Sequence, residues 1–183
     1  MIIDREKKII FCHVEKTAGS SITSAIWHHL LTENKHEPVN YPNKHAVMPE
    51  GFEDYFKFAF VRNPYDRAVS KYFHHRRIEG QFPPFEKSAK HLIFSRWVDQ
   101  GGLRLFRPQS TFGLERSDFV GRFENLAEDV LKIANKIDVR IDLKHINKGL
   151  QKRKHFSKYY TPSSKSYVLD KYAKDFAQFD YPT

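Results

Sequence analysis

Ile9-Ile10-Phe11-Cys12-His13-Val14 runs directly into Glu15-Lys16-Thr17-Ala18-Gly19-Ser20-Ser21, and Ile22, Ala25, Ile26, His29 and Leu30 follow at helical spacing. A short apolar run rich in β-branched residues, a stretch of small and polar residues, and a helical repeat read as strand, tight loop and helix. That unit opens many α/β nucleotide-binding folds. The design recurs at Phe56-Lys57-Phe58-Ala59-Phe60-Val61, which leads into Arg62-Asn63-Pro64. Asn63 suits a helix N-cap and Pro64 the first helical position, with Asp66 placed as in a weak capping box. The helix is expected to run from Pro64 to His75.

Working outward, Glu33 to Gly51 carries Pro38, Pro42 and Pro49 and reads as loop. Lys87 to Val98 reads as helix, ended by Gly101-Gly102, and Arg107 to Gly113 as loop. Phe119 to Phe123 suits a short strand. Glu124 to Ile137 reads as an amphipathic helix with Leu126, Val130, Leu131 and Ala134 inward. A last helix is expected from Ser163 to Gln178, capped by Ser163 or Ser164, with Tyr167, Leu169, Tyr172, Ala173 and Phe176 making its apolar contacts. Strands alternating with helices predict a mainly parallel sheet flanked by helices on both faces.

The chain of 183 residues suits a single domain, 1–183. Its 40% hydrophobic and 15% aromatic content is too high for a disordered chain. One cysteine, Cys12, excludes an internal disulfide and a cysteine-rich zinc site. No apolar run approaches the ~18 residues of a membrane span, and MIIDREKKIIF lacks the long apolar stretch of a secretory signal. A soluble, intracellular protein is expected. A net charge of +9 favours an anionic ligand without naming it.

The two loops narrow that choice. Thr17, Ala18, Gly19, Ser20 and Ser21 are small enough for backbone N–H groups to converge. The following helix adds its positive end, and Lys16 adds a full charge. The segment is no Walker A loop, since its lysine precedes the glycine, and an ordinary strand-to-helix turn with a capping serine remains open. In the second loop, Arg62 stands at a strand end and Ser70 two turns into the helix, where guanidinium and hydroxyl together suit a phosphate. Arg67 suits either that role or a pairing with Asp66, Asp54 or another acid. Two anion sites at the C-terminal ends of parallel strands suggest a ligand with two separated phosphate-like groups.

FCHVEKTAGSSI (Phe11–Ile22) with FAFVRNPYDRAVSKY (Phe58–Tyr72) resembles the sulfotransferases that use 3′-phosphoadenosine 5′-phosphosulfate (PAPS). The likeness is to the carbohydrate branch, which includes heparan 2-O-sulfotransferases and bacterial sulfotransferase family 2. It extends to Arg107-Pro108-Gln109-Ser110, to Gly121-Arg122-Phe123-Glu124-Asn125-Leu126 and to Tyr172…Asp175-Phe176…Phe179-Asp180-Tyr181. The resemblance implies a P-loop-NTPase-like α/β fold and makes Lys16, Thr17, Ala18, Gly19, Ser20 and Ser21 the 5′-phosphosulfate loop. It makes Lys16 the residue that neutralises the bridging oxygen, and Arg62 and Ser70 the 3′-phosphate ligands. Glu15 stands where the family has proline, so it is expected to face away, toward Lys44 or a helix.

Transfer to a hydroxyl needs a base, and histidine is the usual one. Ten histidines leave type alone undecided. His45 falls in the interval between the two loops, where carbohydrate-branch relatives place a catalytic histidine; it also suits a surface loop. His13, beside the first loop, is the rival, though a packed strand histidine fits it better. No paired carboxylate or His-x-x-x-His set accompanies them, so no metal is expected.

Between Leu143 and Leu169 stand Lys144, Lys148, Lys152, Arg153, Lys154, Lys158 and Lys165, with no acid. A solvated face is one reading. The other is a segment closing over the nucleotide through Lys148 or Arg153. Arg104 and Arg107, extended by Arg116, suit an acidic carbohydrate or other hydroxyl acceptor. The expected activity is therefore sulfuryl transfer from PAPS, leaving 3′-phosphoadenosine 5′-phosphate (PAP), in a cytoplasmic, bacterial protein with no membrane span and no nucleic-acid partner. A P-loop-like kinase would need a lysine after the glycine and a Mg²⁺-binding acid. A basic nucleic-acid-binding protein would bind in a salt-sensitive way without Lys16 or Arg62.

Overall fold

The computed structural model describes residues 1–34, 39–40, 45–78, 90–139 and 155–183, so Lys148 and Arg153 lie outside the described residues. The chain forms two compact units, Met1–Arg62 with Gln109–Lys152, and Asn63–Pro108 with Arg153–Thr183.

The first unit is built on a five-stranded sheet of β1 (Ile2–Asp4), β2 (Ile9–Cys12), β3 (Val39–Asn40), β4 (Phe56–Val61) and β5 (Phe119–Arg122), in the order β3-β1-β2-β4-β5. β2 is parallel to β4, and β4 to β5. β1 is antiparallel to both of its neighbours, so it alone among these strands runs against the rest. The mainly parallel sheet flanked by helices is therefore present, with an antiparallel margin that the sequence pattern did not announce.

The register pairs Phe11 with Phe58 and stacks their rings 4.9 Å apart. Ile9, Phe11, Phe58 and Phe60 share one face and pack on Ile22, Ile26 and Trp27 of α1 (Gly19–Asn34) and on Leu126, Val130 and Ile133 of α4 (Leu126–Lys136). On the opposite face Ile10, Cys12 and Ala59 are equally buried. There the Cys12 thiol donates to the Ala46 carbonyl at 3.5 Å, and the Met48 N–H donates to the Phe112 carbonyl at 2.8 Å, which brings Gln109–Phe112 onto that side. Burial on both faces is why these strands are continuous apolar runs instead of alternating ones.

Gly121 pairs with Phe60, and a β-carbon at 121 would stand 2.5 Å from the Phe60 ring. Phe60 is fully buried, so the ring cannot swing out into solvent. Gly121→Ala is therefore expected to cost about 1–3 kcal/mol by overpacking. Urea unfolding should show a lower midpoint at an unchanged slope; an unchanged midpoint would mean that the ring can give way.

The second unit holds α2 (Pro64–Ile78), α3 (Lys90–Asp99), a 3₁₀ turn at Phe156–Tyr159, α5 (Pro162–Lys171) and α6 (Ala173–Gln178). Asn63 caps α2 as expected: its Oδ1 accepts from the N–H of Tyr65 at 2.9 Å and of Asp66 at 3.4 Å. Arg67 is 1% exposed and lies 4.0 Å over the Phe106 ring; its Nη1 donates to the Arg107 carbonyl at 2.9 Å and faces Asp175 at 4.0 Å. An acid distant in sequence, Asp175, is thus among those that face Arg67.

Three local expectations are corrected. Thr161, neither Ser163 nor Ser164, caps α5, in a capping box with Ser164 that satisfies two donors at once. The helix expected from Ser163 to Gln178 breaks at Tyr172, whose hydroxyl donates to the Phe106 carbonyl at 3.1 Å. Leu131 and Tyr167, expected inward, are 41% and 40% exposed. In α4 the place given to Leu131 is taken by Ile133, because the helix is rotated so that Leu126, Val130 and Ile133 meet the sheet.

Candidate active site

The segment from Lys16 to Ser21 links β2 to α1, which begins at Gly19. Lys16 and Ala18 both stand at φ 68°. For residues with a β-carbon that conformation costs about 1–2 kcal/mol each, so the surroundings must hold it. The Thr17 hydroxyl, fully buried, donates to the Val14 carbonyl at 3.0 Å. The N–H groups of Ser21 and Ile22 donate to the Ala18 carbonyl at 2.9 and 3.1 Å, and the Thr23 hydroxyl to the Gly19 carbonyl at 2.8 Å. Thr17 thus spends its side chain on the loop itself and offers a ligand only its backbone. Lys16, Ala18 and Ser21 are half-buried and Ser20 is exposed, all at the positive end of α1. Glu15 is half-buried; Lys44, its expected counter-charge, lies outside the described residues.

Arg62 follows β4 and is 4% exposed. Its backbone is clamped by one amide side chain: the Arg62 N–H donates to Gln109 Oε1, and Gln109 Nε2 donates to the Arg62 carbonyl, each at 2.9 Å. Its guanidinium lies 3.7 Å over the Phe123 ring, and Nη1 donates to the Lys16 carbonyl at 3.3 Å. The arginine at the end of one parallel strand therefore reaches the loop after the neighbouring strand. Gln109 and Phe123 were missed as functional supports, although both fall in segments that carried the family likeness. Their roles depend on chain distant in sequence.

Two histidines join this loop. His45 Nδ1 lies 2.9 Å from the His13 carbonyl, and the two rings meet edge-on at 4.9 Å. A carbonyl only accepts, so Nδ1 carries a proton, and in the neutral ring the lone pair is on Nε2. The His13 ring, 5% exposed, stacks on Phe11 at 5.7 Å and rests on Gly19: a β-carbon at 19 would fall within the His13 ring, on Cδ2 and Nε2. Gly19 is required by this close approach.

In the first unit, then, the structure brings together Lys16 to Ser21, Arg62 and His45. Ser70 stands on α2 of the second unit, 7% exposed. Arg104 and Arg107 belong to that unit too, with exposed side chains. Their carbonyls accept from Lys171 and Arg67 respectively. Arg116, in the first unit, is ion-paired with Glu50 at 2.9 Å and Glu115 at 3.4 Å. Among the described residues no helix is long and apolar enough to cross a membrane.

The model of the Sulfotransferase family matches residues 1–182. The chain is similar to an uncharacterized protein of Archaeoglobus fulgidus, with 35% identity over 109 residues, 54% of this chain and 86% of the relative. It is also similar to the crystal structure of a sulfotransferase from Alicyclobacillus acidocaldarius, with 23% identity and a TM-score of 0.33 over 68% of this chain and 52% of that one. It thus spans about half the length of that structure.

Proposed function

The chain belongs to the sulfotransferase family, and from that premise we propose that it transfers the sulfuryl group of PAPS to an acceptor hydroxyl on a carbohydrate. What supports the reading above all is the junction of the two loops, in which Arg62 donates to the Lys16 carbonyl. The donor set also fits a nucleotide carrying two anionic ends: a strained loop at a helix N-terminus with a lysine, and an aromatic-backed arginine beside it.

In this reading Lys16 to Ser21 bind the 5′-phosphosulfate, and Arg62 and Ser70 the 3′-phosphate, with Lys148 or Arg153 joining from late in the chain. Arg104 and Arg107 receive an acidic acceptor. His45 Nε2 takes the hydroxyl proton as the acceptor oxygen bonds to sulfur and the bond from sulfur to the bridging oxygen breaks. Lys16 neutralises the charge that collects on that oxygen, and PAP leaves. A transferring sulfuryl carries less negative charge than a phosphoryl, so the step calls for no Mg²⁺ clamp.

The test is a thermal-shift titration with PAP on the wild type, Lys16→Ala and Arg62→Ala, with Mg²⁺ or with EDTA. The wild type is expected to gain a saturable stabilisation, equal in both buffers, that either substitution removes. Stabilisation that persists in both variants, or that EDTA abolishes and Mg²⁺ restores, would overturn the assignment.

A further inference from the structure

The second unit contains a cavity of about 520 Å³, within the roughly 300–1,000 Å³ of small-molecule sites. The proposed sulfuryl transfer makes no use of it. Its walls are aromatic. The Tyr65 ring stacks on Phe156 with centroids 6.1 Å apart at 15°, and Tyr160 meets Tyr65 edge-on at 5.2 Å. Pro162 and Pro182 add two rigid apolar rings. The walls are preformed: the Tyr160 hydroxyl donates to the Tyr65 carbonyl at 2.8 Å, and Pro162 is fixed behind the Thr161 capping box.

One charged side chain faces this apolar surface. Lys165 Nζ lies 5.4 Å over the Tyr65 ring, and it is the only charged side chain among the described residues that line the cavity. Burial raises both tyrosine hydroxyls above the ordinary phenol range, so they stay neutral and add no negative charge. Flat π-faces favour a flat ring, and a lone exposed ammonium at their edge favours an anion. Asn63, Ser157, Thr161 and Thr183 also line the cavity, but Asn63 and Thr161 are engaged as helix caps and most of the wall is apolar. A nucleic acid would call for a basic groove, which a single lysine does not make.

We propose that this cavity binds a planar aromatic anion of the aryl sulfonate, aryl sulfate or aryl carboxylate class, its ring against Tyr65 and Phe156 and its anionic group on Lys165. None of the lining residues is among those proposed to hold PAPS or the acceptor, so the inference does not rest on that reading.

The probe is naphthalene-2-sulfonate, titrated into the full chain by calorimetry beside the neutral 2-naphthalenemethanol. Saturable one-to-one binding of the sulfonate is expected. Lys165→Met should weaken it by roughly tenfold, the loss of one charge-assisted contact at a partly exposed site, while leaving the affinity for the alcohol unchanged. Phe156→Ala should weaken both. Saturating PAP and Lys16→Ala should leave the sulfonate affinity as it was, whether or not PAP itself binds. Equal sulfonate affinity in Lys165→Met, binding that never saturates, or displacement by PAP would each overturn the proposal.

Discussion

Gly19→Ala is expected to lower the affinity for PAP by roughly 5- to 150-fold, the equivalent of about 1–3 kcal/mol of overpacking. The new methyl group would be built into the His13 ring. That ring cannot retreat: it stacks on Phe11, which is fully buried and itself stacked on Trp27 at 6.1 Å and on Phe58 at 4.9 Å. The strain therefore falls on the loop, where Lys16 and Ala18 already stand at positive φ. Removing the obstacle separates this cause from general damage. His13→Ala in the Gly19→Ala background should recover most of the PAP affinity, as contacting residues do in a double-mutant cycle. Calorimetric titration of the single and double variants reads the effect directly. Wild-type affinity in Gly19→Ala would remove the loop from the donor site.

The reach of sequence reasoning here follows the range of the interactions. β2, the loop and α1 were legible because strand and helix periods and small loop residues are local signals. So was α2, since Asn63 and Pro64 mark a helix start within two residues. β1 was not legible: three residues at the chain's start become a strand only by pairing with Phe11, Ile10 and Ile9. The break at Tyr172 was hidden because apolar spacing carries across it, while the interaction that fixes Tyr172 comes from Phe106. An acid that faces Arg67, Asp175, lies more than a hundred positions away. At the candidate site, residue types in the two loops pointed to Lys16 and Arg62, and His45 stood out by its place between them and by the family resemblance. What joins them (the Gln109 clamp, the Phe123 ring, the His13 carbonyl) belongs to tertiary contact. Local sequence names the candidate groups, and the parts that orient them come from elsewhere in the chain.

That division gives His45→Ala a distinctive signature. PAP binding should stay within about twofold of the wild type, because the Nδ1 hydrogen bond of His45 goes to the His13 backbone, which precedes the loop. Turnover should fall by about 10²–10⁴, the range lost with a positioned general base. It would be measured as PAP released from PAPS with a uronate-containing polysaccharide as acceptor. The hydrogen bond to the His13 carbonyl sharpens the test. It survives replacement of the His13 side chain, so the tautomer that places the lone pair on Nε2 survives too. His13→Asn should therefore retain far more turnover than His45→Ala, although His13 is the more buried of the two. Added imidazole should restore part of the turnover of His45→Ala and none of any loss in His13→Asn. If His13→Asn were the dead enzyme and His45→Ala the active one, the base would be the strand histidine. If both variants lost PAP binding along with turnover, the pair would be structural and the proton would leave by another route.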